Sequence, residues 1–162
     1  ECDETTFGGA RHGKRGWGAA GKVIVFGIVK RNGRVKAMPV AAHNQREVMQ
    51  RIQAHTREGS LFYTDEWQAY ATLKMRGEHV MIRKEKGKPV GRDHINGIEG
   101  FWSYAKNWLY QYRGVPAHFF HLYLAEVSWR FNHRDEDRKP LLRKLLQTLT
   151  MADIQPILVR KA

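Results

Sequence analysis

The sequence predicts a mixed α/β fold built in layers, and three observations carry that expectation. The first forty residues are dominated by β-branched, strand-like segments around one tight turn. Strand and helix signals then alternate along the middle of the chain. Finally, residues 93–109 repeat their apolar positions at helical spacing: Ile95, Ile98, Trp102, Ala105 and Leu109 form one stripe. Asn96, Glu99, Ser103 and Lys106 recur at the same spacing on the adjoining side.

Each element follows from local residues. Residues 1–7, ECDETTF, read as a short extended piece, and a Gly-rich basic loop, GGARHGKRGWGAAG, follows. That loop lacks the GxxxxGK[ST] pattern of a phosphate-cradling loop, so its glycines read as flexibility. Its Arg11, Lys14, Arg15 and Trp17 either touch a nucleic-acid backbone or form a solvated hairpin tip. Residues 22–30, KVIVFGIVK, fit a buried strand, and Asn32-Gly33 centres a hairpin turn into a returning arm at 35–40. The N-terminal third is thus a three-stranded antiparallel meander. Asn44 is placed to cap a helix over 44–57, with Gly59 just past its end. A strand at 60–64, a short helix at 66–75 with Tyr70 and Leu73 inward, and a strand at 79–83 come next. The basic segment 84–92, KEKGKPVGR, leads into the amphipathic helix. A second long helix at about 117–133, a charged linker at 134–139 and a last helix at 140–151 complete the chain.

Bulk properties narrow the function. A length of 162 residues suits one domain with a real core. The 28 Lys and Arg outweigh 16 Asp and Glu, a net charge of +12, which predicts a polyanionic partner, nucleic acid before a membrane surface. No apolar run has the length of a membrane span or the form of a secretory signal. Cys2 is the single cysteine, so this chain builds neither a disulfide framework nor a cysteine zinc site, and a reducing, cytoplasmic setting is expected. The chain opens at Glu1 in what reads as a strand, as a fragment or processed piece missing an upstream segment would.

Three carboxylates are candidates for chemistry. Asp3 lies mid-strand, Asp65 closes a strand, and Glu99 sits beside the apolar seam of the amphipathic helix. Two aspartates on strands and a glutamate on an adjacent helix can converge at a sheet edge. Hard oxygen donors of this kind suit Mg²⁺ or Mn²⁺ over Zn²⁺. Two such ions, about 3.5–4 Å apart, activate a nucleophile and stabilise the leaving oxygen of a phosphodiester. Plainer readings stand beside this one: Asp65 caps the short helix that follows it, Glu1 or Glu4 takes the place of Asp3, and the helix is simply amphipathic. His118 and His121 lack a third partner nearby and read as packing residues.

Taken together, ECDETTFGG, GRVKA, YTDEWQAY, HINGIEGFWSYAKNWL and LYLAEVSWRFNHR resemble the catalytic domain of ISXO-type insertion-sequence transposases. These are bacterial relatives of the Merlin transposons within the DDE transposase/integrase superfamily. The resemblance runs in order from Glu1 to about Arg134. It implies a ribonuclease H-like fold, a mixed five-stranded sheet flanked by helices, over residues 1–134, with 135–162 as a C-terminal helical extension. It also implies that Asp3, Asp65 and Glu99 hold two Mg²⁺ or Mn²⁺ ions, and that Lys106 contacts DNA. Some members of the group use an asparagine as third residue, which makes Asn96 the alternative to Glu99. The family's HTN form is His94-Ile95-Asn96 here.

The activity implied is metal-dependent DNA cleavage and strand transfer. Lys106, Asn96, Arg11, Lys14, Arg15, Lys84, Lys86, Lys88 and Arg92 are the expected DNA contacts, and a dimer or larger assembly on DNA is the expected partner state. Full-length relatives carry an N-terminal DNA-recognition domain, which would lie upstream of Glu1. A ribonuclease H-like nuclease without strand transfer, or a non-catalytic DNA-binding remnant, are the alternatives.

Overall fold

The computed structural model describes residues 1–8, 22–83, 91 and 93–153. The chain divides into two compact units, Glu1–Asn132 and His133–Ala162.

In the first unit, β1 (Cys2–Phe7), β2 (Val23–Val29) and β3 (Val35–Pro39) form an antiparallel meander in the order β1-β2-β3. The turn between β2 and β3 works as its residues demand: Asn32 adopts φ 55°, a left-handed conformation that asparagine tolerates. Helix α1 (Gln45–His55) starts where Asn44 Oδ1 accepts the Glu47 amide at 2.9 Å and ends before Gly59 at φ +74°. Val48 and Ile52 are its buried side chains, whereas His55 is exposed. Strands β4 (Ser60–Thr64) and β5 (Gly77–Met81) pair in parallel, Ser60 opposite Gly77. Helices α2 (Asn96–Tyr110) and α3 (Phe120–Asn132) complete the unit. At the end of α3 the Asn132 amide closes the outer edge of β3, accepting from Val35 N at 2.7 Å and donating to Val35 O at 2.9 Å.

Three expectations need correction. The five strands do not form one sheet but a three-stranded and a two-stranded sheet. Strands β1 and β4 run beside each other without a shared ladder among the described residues, β1 pairing with β2 and β4 with β5. The expected helix at 66–75 is two tight 3₁₀ turns, 68–70 and 73–75. Asp65 Oδ1 accepts the Trp67 amide at 3.0 Å, which bends the chain, and the inward residues Tyr70 and Leu73 are three apart, the period of a 3₁₀ turn. Strand β5 begins two residues earlier than 79, because a Cβ at residue 77 would stand 2.1 Å from Ser60 O; only glycine lets the backbones approach there.

Two apolar clusters flank the meander. Phe7, Val25, Val29 and Val35 pack with Ile95, Ile98, Phe101, Trp102, Ala105 and Leu109 of α2 and with α3. The stripe read from residues 95–109 is buried throughout, so α2 stands as its periodicity predicts. On the other side Cys2, Phe26, Val40, Val48, Ile52, Phe62, Tyr70 and Leu73 form the second cluster. Burial pushes the Cys2 thiol up to about 12, so the group is an inert core residue.

The second unit contains α4 (Arg138–Thr148), capped by Asp137, whose Oδ1 accepts the Lys139 amide at 3.1 Å. Pro140 falls in the first turn, where its missing N–H costs nothing. Among the described residues no helix is long and apolar enough to cross a membrane.

Candidate functional site

Side chains alternate along β1, and the two faces carry different chemistry. Glu1, Asp3 and Phe7 face α2, whereas Cys2 and Glu4 face the second cluster. Asp3 Oδ2 accepts the indole N–H of Trp102 at 3.0 Å. Trp102 is buried on the apolar stripe and needs a partner for that N–H, which the aspartate supplies. The ring reaches the sheet because Gly27, opposite Asp3 in the register, has no Cβ; one built there would meet the Trp102 ring at 2.6 Å. Asp3 is therefore fixed to the helix that carries Glu99, one turn before Trp102.

Asp65 lies directly past the end of β4, its carboxylate oriented by the Trp67 amide. The helix cap expected of Asp65 is instead the closure of a bend ahead of a 3₁₀ turn, and it uses Oδ1. Trp67 stacks on His43 with ring centroids 3.8 Å apart and planes 5° apart.

Glu4 sits between these groups. Its carboxylate accepts the Tyr70 hydroxyl, and His43 Nε2 stands 3.8 Å from Glu4 Oε2. Burial pushes the Glu4 carboxyl up to about 8; the Tyr70 hydrogen bond opposes this, and the negative charges of Asp3 and Asp65 add to it. Desolvation lowers the pKa of His43, against the pull of Asp65. Burial thus favours the neutral forms of both groups over an ion pair. Strand β1, which carries Asp3, runs beside β4, which Asp65 follows directly.

Glu99 is half-buried beside the seam, and Asn96 and Lys106 are exposed on the same side of α2. Lys106 Nζ lies 5.9 Å from the centre of the Phe7 ring, at the end of β1. Among the described residues no three His, Cys, Asp or Glu side chains are gathered closely enough to hold a metal ion. The donors suit a hard cation in kind, being carboxylate oxygens, but they are not closed into a cage. His118 and His121 are exposed, and the His118 ring lies against Phe119 with centroids 4.1 Å apart. The expected DNA contacts Arg11, Lys14, Arg15, Lys84, Lys86, Lys88 and Arg92, with Trp17, lie outside the described residues.

Sequence reasoning missed Gly27 and the polar role of Trp102, which it treated as seam alone. A glycine inside an otherwise β-branched strand was the available signal, since such a glycine often marks a close approach. It also missed Tyr70 as the partner of Glu4, and Glu1 as an acceptor for α2: Glu1 Oε2 takes the Ile98 amide at 2.9 Å.

Residues 1–132 match the sequence model of the ISXO2-like transposase domain. A protein of Haemophilus influenzae described as an "uncharacterized transposase-like protein" is 32% identical over 98 residues, which cover 59% of this chain and 80% of that protein. No solved structure matches the chain.

Proposed function

The chain belongs to the ISXO2-like transposase domain family, and from that premise we propose that it cuts and joins DNA as a DDE-type transposase in insertion-sequence transposition. The observation that carries this reading is the Trp102–Asp3 hydrogen bond at 3.0 Å, which couples an acid of β1 to the helix bearing Glu99. The approach of β1 to β4, with Asp3 on the one and Asp65 directly past the other, supports their junction as the centre of the site. A ribonuclease H-like arrangement fits the strand order β3-β2-β1, with β1 beside β4 and β4 parallel to β5.

Asp3, Asp65 and Glu99 are the residues that would hold Mg²⁺ or Mn²⁺, whose charge would stabilise the pentavalent phosphorus centre. Trp102 and the Trp67 amide orient two of the three carboxylates, so they enter the reaction pre-positioned. Lys106, exposed two turns beyond Glu99, holds a DNA phosphate without reading its sequence. Water first hydrolyses the phosphodiester at the element's end. The freed 3′-hydroxyl then attacks a target phosphodiester, displacing a 3′-oxygen and joining the strands. Both steps are in-line displacements at phosphorus. Joining two ends requires at least two subunits on DNA, and the net charge of +12 suits that partner.

The test is a strand-transfer assay of the full-length protein with duplex carrying the element's terminal sequence, in Mg²⁺ or Mn²⁺. Cleavage followed by joining is expected, and Asp65→Ala abolishes both. Cleavage without joining would indicate a plain nuclease on the same scaffold; binding without cleavage would indicate a non-catalytic remnant.

A further inference from the structure

We infer that Arg31 and Glu1 are positioning residues for the candidate site, a clamp that holds in register the three elements carrying Asp3, Asp65 and Glu99. The inference rests on the reading of those three acids as the site.

Arg31 lies in the turn after β2, remote in sequence from all three, yet it touches a residue of β4 and residues directly ahead of β1 and α2. Its Nε donates to Glu1 Oε1 at 3.0 Å; Glu1 lies on the same face of the chain as Asp3, two residues before it. Its guanidinium carbon stands 3.7 Å from the centre of the Tyr63 ring, and Tyr63 precedes Asp65 by two residues in β4. Its second terminal nitrogen donates to His94 O at 2.6 Å, immediately ahead of α2. One planar group therefore ties the start of β1, β4 and the approach to α2 together, each within a few residues of a candidate acid. The fork of donors and the flat face of a guanidinium allow this; a lysine ammonium offers neither.

Glu1 completes the clamp. The residue preceding α2 is Ile95, which has no side chain with which to cap the helix. Glu1 Oε2 takes over that task, accepting the Ile98 amide at 2.9 Å, where the helix dipole also favours a carboxylate. The Glu1 side chain is 1% exposed, so its charge is confined to this geometry. Gly97 is the complementary feature: a Cβ there would stand 2.7 Å from Glu1 Oε2. The amide held by Glu1 belongs to the residue directly before Glu99, so the clamp sets where Glu99 leaves the helix. Glu1 and Tyr63 each stand two residues before a candidate acid, Asp3 and Asp65, along the chain.

The test uses the full chain and four readouts: Mn²⁺ binding by calorimetry without DNA, hydrogen exchange at the Ile98 and Glu99 amides, DNA affinity, and strand transfer. Arg31→Ala strands a buried carboxylate, so Arg31→Lys and Gly97→Ala run beside it, each checked for a cooperative melt. The expected result in the folded variants is about a 10–100-fold loss of Mn²⁺ affinity and of turnover, the range found for residues that orient ligands. Exchange at Ile98 and Glu99 accelerates, while DNA affinity stays within about threefold of the unaltered chain. Arg31→Lys fails to restore either quantity. Unchanged Mn²⁺ affinity and turnover in folded Arg31→Ala and Gly97→Ala would overturn the clamp and leave the function intact. Asp65→Ala separates the two ideas: undiminished Mn²⁺ binding and strand transfer in that variant would overturn the reading of the site itself, and with it the clamp's purpose.

Discussion

The indole N–H of Trp102 reaches Asp3 Oδ2 at 3.0 Å through a gap that exists because residue 27 has no side chain. A helix residue and a strand residue 99 positions apart are thereby locked together, and a glycine on the neighbouring strand makes the room. Trp102→Phe keeps the ring and removes the donor. It is expected to lower strand transfer by about 10–100-fold while costing at most about 1–3 kcal/mol of stability. Gly27→Ala attacks the same contact from the other side. Its Cβ meets the Trp102 ring at 2.6 Å, so urea unfolding should show a loss of about 1–3 kcal/mol, with reduced activity.

Glu4 gives the fold a dependence on pH. Its carboxyl sits at about 8 in the folded chain, against about 4.3 when unfolded. The folded state therefore keeps a proton that the unfolded chain has lost. This contribution is fully present below about pH 4.3, declines as pH rises, and is gone above about 8. His43, His55 and His79, whose pKa values burial lowers, pull the other way around and below the free-imidazole value of about 6.5, so the window to read is about pH 7–8 and the comparison with Glu4→Gln isolates Glu4. Urea unfolding in chelator should show stability falling across that window by up to about 1.4 kcal/mol per pH unit. In Glu4→Gln, which is neutral throughout, the slope should flatten; parallel profiles would contradict the assignment.

Lys106 is expected to act on DNA as a charge and not as a reader. Lys106→Ala should weaken binding about equally for specific and random duplexes, and should lower the slope of log affinity against log salt by about 1. A loss confined to the element's end sequence would mean that the residue reads bases.

Much of this was legible from residue order because it depended on neighbours. The Asn32-Gly33 turn, the Asn44 cap and the stripe from Ile95 to Leu109 are local patterns with local physical causes, and each stands where it was expected. The errors share the opposite property. Whether β1 and β4 share a ladder depends on strand approach, and the break at Asp65–Met75 on one side chain turning back to a backbone amide. The clamp at Arg31 spans 30 positions to Glu1 and 63 to His94, with no periodicity to announce it. Asp3, Asp65 and Glu99 were named from residue type and resemblance; what holds Asp3, a tryptophan read as plain core, emerges only in three dimensions.

The central claim is that Glu99 is the third acid of the site, with Asn96 a helix-start residue facing DNA. The most direct measurement is strand transfer by Glu99→Ala and Asn96→Ala, side by side on the same end-sequence duplex in Mn²⁺. Glu99→Ala is expected to be inactive in both cleavage and joining, while Asn96→Ala keeps activity within about tenfold of the unaltered protein. An active Glu99→Ala beside an inactive Asn96→Ala would contradict the claim.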